Sequence, residues 1–193
     1  MSLQIIDEPL PGVKVVCPDR YEDCRGFFQE SYNEALYESI GIKETFVQDN
    51  WSSSSFGTVR GLHYQLYAPQ GKLVQVVHGE VEDVVVDIRM GSPTFGKSCA
   101  IRLRGDKPMQ VFIPEGFAHG FAVLSEQAHF MYKCTDFYIS ADSYGIYWDD
   151  DALGIAWPKE VYEGSGPNLS GQDRIWPLLE CVSKDLLPTY VDD

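Results

Sequence analysis

Regular punctuation limits the folds open to this chain. Short runs rich in β-branched residues, from VKVV at 13–16 to HFMYKC at 129–134, are separated by turn residues. The turns recur about every ten positions, the rhythm of an all-β sandwich or barrel. KLVQVVHGEVEDVVVDIR at 72–89 forms two strands around a His78–Gly79 turn, and GDKP at 105–108 is a further turn. CAIRLRG at 99–105 alternates, with Ile101 and Leu103 on one face and Arg102 and Arg104 on the other. MQVFIP and HGFAVLS are further short strands.

Two segments are helical in pattern. SYNEALYESIG at 31–41 opens on Ser31, has Glu34 three residues on and ends at Gly41, which predicts a capping box and a C-terminal stop. LSGQDRIWPLLE at 169–180 is a second, limited by Pro177. SSSS at 52–55 is expected to be a polar loop. There is no internal repeat, low-complexity tract or linker. The expectation is one domain over 1–193: an all-β, antiparallel jelly roll with a short N-terminal helix and a partly helical C-terminal arm. Barrels of this kind can hold a small ligand.

Charge narrows the partners. Fifteen basic against 29 acidic residues give a net charge of −14, with no basic run, so nucleic acid is not an expected partner. An anionic ligand would need a local cationic pocket set against that field. Five cysteines, odd in number and without a CxxC pair, argue against a disulfide framework or structural zinc and for a reducing cytoplasm. MSLQIIDEPLPG lacks the pattern of a signal peptide, and no apolar run approaches the ~18 residues of a membrane span.

Against this acidic background, RGLHYQ at 60–65 sets His63 in a strand-like run, with Arg60 three residues before it and Lys72 nine after. An isolated histidine on a barrel wall is more often a packing residue than a base. Arg60 and His63 fall on opposite faces of a regular strand, and a bulge at Gly61 would bring both into one pocket. A metal site usually needs several histidines and carboxylates together; the other histidines here are His78, His119 and His129, with no HxH pair. Tyr132 and Tyr138 share a face if FMYKCTDFY is a regular strand, and Lys133 points away. A phenol facing the same cavity as His63 would be its acid–base partner, although strand tyrosines usually pack. Asp173 follows Ser170 in a capping pattern; alternatively its carboxylate fixes the tautomer of a histidine. In DCRGFFQE, one of Phe27 and Phe28 would face outward, and Arg25 beside it could hold a base and a phosphate.

Taken together and in order, DCRGFFQE, VQDNWSSSSFGTVRGLHYQ, GKLVQVVHGEVEDVVVDIR, SPTFGK, IPEGFAHGFAVLSE, MYKCTDFY, WDDDALGIAWP and LSGQD resemble the dTDP-4-dehydrorhamnose 3,5-epimerases of the RmlC-like cupin group. The resemblance runs from about residue 5 to about residue 175. It implies a jelly-roll fold, a homodimer with a strand exchanged between subunits, no metal and no cofactor. It implies a nucleoside-diphosphate sugar, dTDP-linked, with a ketone at carbon 4 and inversion at carbons 3 and 5 in a deoxysugar (L-rhamnose) pathway. By the same resemblance His63 is the base, oriented by Asp173. Lys72 faces the carbonyl oxygen, and Tyr132 returns a proton from the opposite face. Arg25, Phe28 and Glu30, with Gln48 and Asn50, belong to the nucleotide end of the pocket. Arg60 contacts the diphosphate, His119 lies in or beside the site, and Tyr138 lines it. Relatives often carry Lys where this chain has Gln172, and the stretch after about residue 176 matches nothing in the pattern. Relatives that use other nucleotides or invert one carbon share these motifs. A non-catalytic sugar-nucleotide-binding cupin and a metal-dependent cupin are the readings from other classes. A binder has no need of a base and an acid together.

Overall fold

A computed structural model describes residues 2–191; the first residue and the last two of the expected domain 1–193 lie outside it. In chain order the strands are β1 (Leu3–Leu10), β2 (Val13–Pro18), β3 (Arg20–Asp23), β4 (Gly26–Gln29), β5 (Gln48–Ser55), β6 (Val59–Gln65) and β7 (Lys72–His78). Then come β8 (Glu80–Asp87), β9 (Ser98–Arg104), β10 (Gln110–Ile113), β11 (Phe117–Val123), β12 (Gln127–Cys134) and β13 (Ser143–Gly145). A helix, α1 (Glu34–Ser39), sits between β4 and β5.

Strand parity sorts the apolar residues into layers. Val74 and Val76 of β7, Val111 of β10 and Phe130 of β12 meet Val81 and Val85 of β8 and Phe121 of β11 in one core. That core lies between a six-stranded sheet, ordered β1-β2-β10-β7-β12-β5, and a five-stranded sheet, ordered β13-β6-β11-β8-β9. The opposite parity, Val84 and Val86, packs with Trp148, Trp157 and Leu179 from the C-terminal segment. β8 is therefore covered on both faces, which is why valines of both parities, Val81 and Val85 on one side and Val84 and Val86 on the other, are buried. α1 and the residues after it close the outer face of the larger sheet, with Tyr37 and Ile42 against Val16, Leu73 and Phe112.

The His78–Gly79 turn is present, but β7 and β8 do not pair. The chain crosses there from one sheet to the other. The serines at 52–55 are not a loop. They complete β5, an edge strand paired with β12 from Gln48↔Cys134 to Ser55↔Gln127. Serine carries little intrinsic strand preference, so the ladder of β12 decides. The helix is shorter than expected and is capped by Asn33, whose side chain accepts from Leu36 N. Ser31 instead gives its carbonyl to Gln110 Nε2 and to Tyr37 Oη. Gly41, at φ +82°, ends the helix as expected. The C-terminal segment carries short 3₁₀ turns at Leu179–Cys181 and Lys184–Leu186. Among the described residues no helix is long and apolar enough to cross a membrane.

Candidate active site

Gly61 shapes the site. Three residue steps on β6, Arg60 to His63, oppose two on β11, Phe121 to His119. This bulge puts Arg60 and His63 on the same inward side. Only glycine fits there: φ is +118°, and an added Cβ would lie 2.6 Å from Gly120 Cα. His119 is the direct cross-strand neighbour of His63.

Each of these two imidazoles has its own carboxylate. His63 Nε2 lies 2.5 Å from Asp173 Oδ1. Ser170 Oγ donates to Asp173 Oδ2 at 2.8 Å and accepts from Asp173 N at 3.1 Å, so the capping contact and the histidine contact coexist. Burial by itself raises the Asp173 carboxyl, but His63, with help from Ser170, holds it below its ordinary value. His119 Nε2 lies 2.7 Å from Asp83 Oδ1, and both side chains are buried. Sequence reasoning missed Asp83. The available signal was parity: within EVEDVVVD it shares a face with Val81 and Val85, where a carboxylate is out of place without a partner.

Lys72 and Tyr132 face these groups from the six-stranded sheet. Lys72 is buried, and its ammonium makes no hydrogen bond or ion pair among the described residues. Burial pushes its pKa down, opposed by the neighbouring Cys134 and Asp83. Cys134 stands directly across the ladder from Lys72. The Tyr132 phenol is pushed up, chiefly by burial. The Arg60 Nε donates to Ser54 Oγ at 3.0 Å, leaving the rest of the guanidinium without an acceptor among the described residues.

These side chains line one cavity of about 490 Å³. Nine of the expected residues border it: His63, Lys72, Tyr132, Asp173, Gln48, Asn50, Arg60, His119 and Tyr138. Tyr138 comes from the loop after β12, not from a continuing strand. It is held where Gln48 Oε1 accepts its backbone N at 3.0 Å. Gln48 also donates to Asn50 Oδ1 at 3.0 Å. Gln65 and Trp176, which the sequence did not single out, line the cavity as well. Gln65 ties the rim together, accepting from Ile139 N at 2.7 Å and donating to Ala68 O at 2.7 Å. Among the described residues no group of three or more His, Cys, Asp or Glu is placed to hold a metal ion.

Arg25, Phe28 and Glu30 do not border this cavity. β3 and β4 pair only with each other, as a ribbon outside both sheets. Arg25 is bound to Asp23 at 2.5 Å with its side chain 85% exposed, and Phe28 is 60% exposed. Glu30 accepts from Asn33 Nδ2 at 3.2 Å. The ribbon carries them away from the chain's own cavity, which proximity in sequence could not reveal.

A histidine paired with a carboxylate, in one cavity with a buried lysine and a phenol, suits an enzyme that moves protons at carbon beside a carbonyl. Comparison with known proteins makes that class specific. The sequence matches the profile of dTDP-4-dehydrorhamnose 3,5-epimerase over residues 7–180. It is 45% identical over 180 residues to the dTDP-4-dehydrorhamnose 3,5-epimerase of Methanothermobacter thermautotrophicus, covering 93% of this chain and 96% of that one. It is 48% identical over 171 residues to the enzyme of that description from Neisseria gonorrhoeae, covering 89% of this chain but about half, 51%, of that longer protein. Among solved structures, the dTDP-6-deoxy-D-glucose-3,5-epimerase of Legionella pneumophila, in complex with dTDP-4-keto-L-rhamnose, superposes with a TM-score of 0.93. It is 46% identical, with 98% of this chain and 100% of that one covered. The chain belongs to the dTDP-4-dehydrorhamnose 3,5-epimerase family.

Proposed function

We propose that this protein inverts carbons 3 and 5 of a nucleoside-diphosphate 4-keto-6-deoxyhexose, converting dTDP-4-keto-6-deoxyglucose to dTDP-4-keto-L-rhamnose. The observation that carries the reading is that His63, paired with Asp173, and Tyr132 border one cavity from opposite sheets. A hydrogen on carbon next to a ketone becomes removable when the developing enolate is stabilised. His63 takes that proton, and Asp173 keeps the imidazole in one tautomer and supports its cationic form. Since Nε2 faces Asp173, Nδ1 is the nitrogen left for the substrate. Lys72, buried and without a partner among the described residues, donates to the enolate oxygen and stabilises it. Tyr132 delivers a proton to the other face, so the centre inverts. Repetition at the second carbon flanking the same ketone gives the double epimer. His119 and Asp83 extend the polar wall beside His63.

Arg60 suits a diphosphate, since a guanidinium makes paired hydrogen bonds to phosphate oxygens. With Lys72 it supplies the local positive charge that a chain of net charge −14 otherwise lacks. Gln48, Asn50 and Tyr138 line the same cavity, and we assign them to its nucleotide end. We read the protein as a homodimer in which the β3–β4 ribbon reaches the partner's cavity, bringing Arg25, Phe28 and Glu30 to a site they cannot serve in their own chain. We read the two-sheet topology as a single-domain jelly roll with an irregular C-terminal arm, and the five free cysteines as consistent with a reducing cytoplasm.

The test is incubation with dTDP-4-keto-6-deoxyglucose in heavy water, followed by proton NMR. Loss of both the C3 and C5 proton signals is expected. Exchange at one carbon would reduce the activity to a single epimerisation, and exchange at neither would overturn it.

A further inference from the structure

The His63 imidazole is held at one edge by Asp173 and flanked on another side by Trp176, with ring centroids 6.3 Å apart and planes at 70°. The space for that indole is made by a glycine. Gly145 of β13 is the direct cross-strand neighbour of His63. A Cβ placed on it would lie 2.4 Å from Trp176 Cε2 and 2.5 Å from Nε1. Gly145 is not among the residues with positive φ, so its lack of a side chain serves space, not backbone conformation. The indole is therefore seated on the strand that neighbours the proposed base.

The segment carrying Trp176 is anchored nearby. Tyr147 N donates to Pro177 O at 2.8 Å, and Leu179 N donates to the buried Asp150 at 2.8 Å. Asp173 is three residues upstream on the same segment. The buried Nε1 of Trp176 has no acceptor at hydrogen-bond distance among the described residues. It nevertheless sits close enough to Asp173 to help hold that carboxyl down, behind His63 and Ser170. An indole so placed does two things. It limits the tilt of the imidazole, whose side chain is itself 41% exposed, and it covers the Asp173 side of the contact, 4% exposed, where screening would weaken the pair.

We propose that Trp176, seated on Gly145, is a positioning residue that fixes and shields the His63–Asp173 pair of this epimerase. It acts through His63 and does not itself move a proton. This rests on the reading of His63 as the base.

The experiment is a double-mutant cycle on the full chain with dTDP-4-keto-6-deoxyglucose, reading kcat and KM separately, with His63→Ala run alongside and thermal melting of every variant. Gly145→Ala should displace the indole and lower kcat about tenfold or more, since small misplacements of a reacting group are costly, while KM stays within about twofold. Trp176→Ala should do the same. In the double variant the added methyl has no ring to strike, so Gly145→Ala should cost nothing further. Trp176→Phe, which restores the flanking ring, should recover part of kcat. Equal losses from Gly145→Ala with and without Trp176, or a rise in KM at unchanged kcat, would overturn the inference. If Gly145→Ala alone does not fold, a folded double variant with the kcat of Trp176→Ala supports the contact, and an unfolded one refutes it. Full activity in His63→Ala would instead overturn the proposed base, whatever the Trp176 variants do.

Discussion

His63 Nε2 and Asp173 Oδ1 lie 2.5 Å apart although 110 residues separate them in sequence. That contact joins a strand of the five-stranded sheet to the C-terminal segment. His63→Ala is expected to abolish hydrogen exchange at C3 and C5. Asp173→Asn should keep the fold and lower kcat about 10²–10⁴-fold, the range general-base catalysis contributes. Initial rates in heavy water check both; a native kcat for Asp173→Asn would remove Asp173 from the mechanism.

Tyr132 stands on the other side of the cavity, its phenol raised by burial and so protonated at neutral pH. Tyr132→Phe should leave proton removal intact and block return from the far face. The expected result is deuterium uptake with little net inversion, read by NMR of the sugar ring. Inversion at the native rate would exclude Tyr132 as the acid.

Lys72 sets activity against stability. Its buried ammonium has no partner among the described residues, and burial lowers its pKa. A depressed lysine pKa means that the charged form costs folding free energy at neutral pH, a cost that fades as pH rises toward the ordinary 10.5. Lys72→Met should therefore raise Tm by a few degrees while lowering kcat about 10²–10³-fold, as loss of an oxyanion stabiliser does. Calorimetry and turnover on the same sample decide it; a fall in Tm would contradict the first part.

The β3–β4 ribbon offers a test by complementation. Arg25→Ala and His63→Ala chains should each be poorly active alone. Refolded together in equal amounts, they should recover about a quarter of native activity. Half of the dimers are mixed, and one cavity in each then has both residues intact. No recovery, despite mixed dimers seen by native mass spectrometry, would show that the ribbon does not serve the partner's site.

Acid stability should turn on Asp87, which is fully buried and accepts from Arg89 Nε at 2.9 Å and from Ser92 Oγ and Thr94 Oγ1 at 2.6 Å. Burial alone raises this carboxyl, but Arg89 and the two hydroxyls together carry it below the ordinary 3.8. A depressed folded pKa stabilises above the ordinary value, and that stability is lost as pH falls through the window just below it. Stability should fall as pH drops below about 4. Asp87→Ala should cost about 3–5 kcal/mol at neutral pH, because it strands the Arg89 charge. Chemical denaturation at both pH values measures this.

The strands from Lys72 to Cys134 were legible because parity and turn residues are local signals, and a sheet only amplifies them. β5 was not: its serines take strand geometry from the neighbouring β12 ladder. The proposed roles of His63, Lys72, Tyr132 and Asp173 came from ordered motifs, since spacing alone left packing and capping readings open. Asp83 was visible only as a carboxylate at an apolar parity, and Trp176 gave no local sign.

The alternation of faces, the punctuation between strands and the glycine at position 61 that permits a bulge can be read along the chain, because each depends on a residue and its near neighbours. That β7 and β8 enter different sheets, that Asp173 returns to His63, and that Arg25 and Phe28 ride a ribbon away from their own cavity emerges with the packed fold. Those arrangements depend on which distant surfaces bury one another, and no short stretch of the chain encodes that choice.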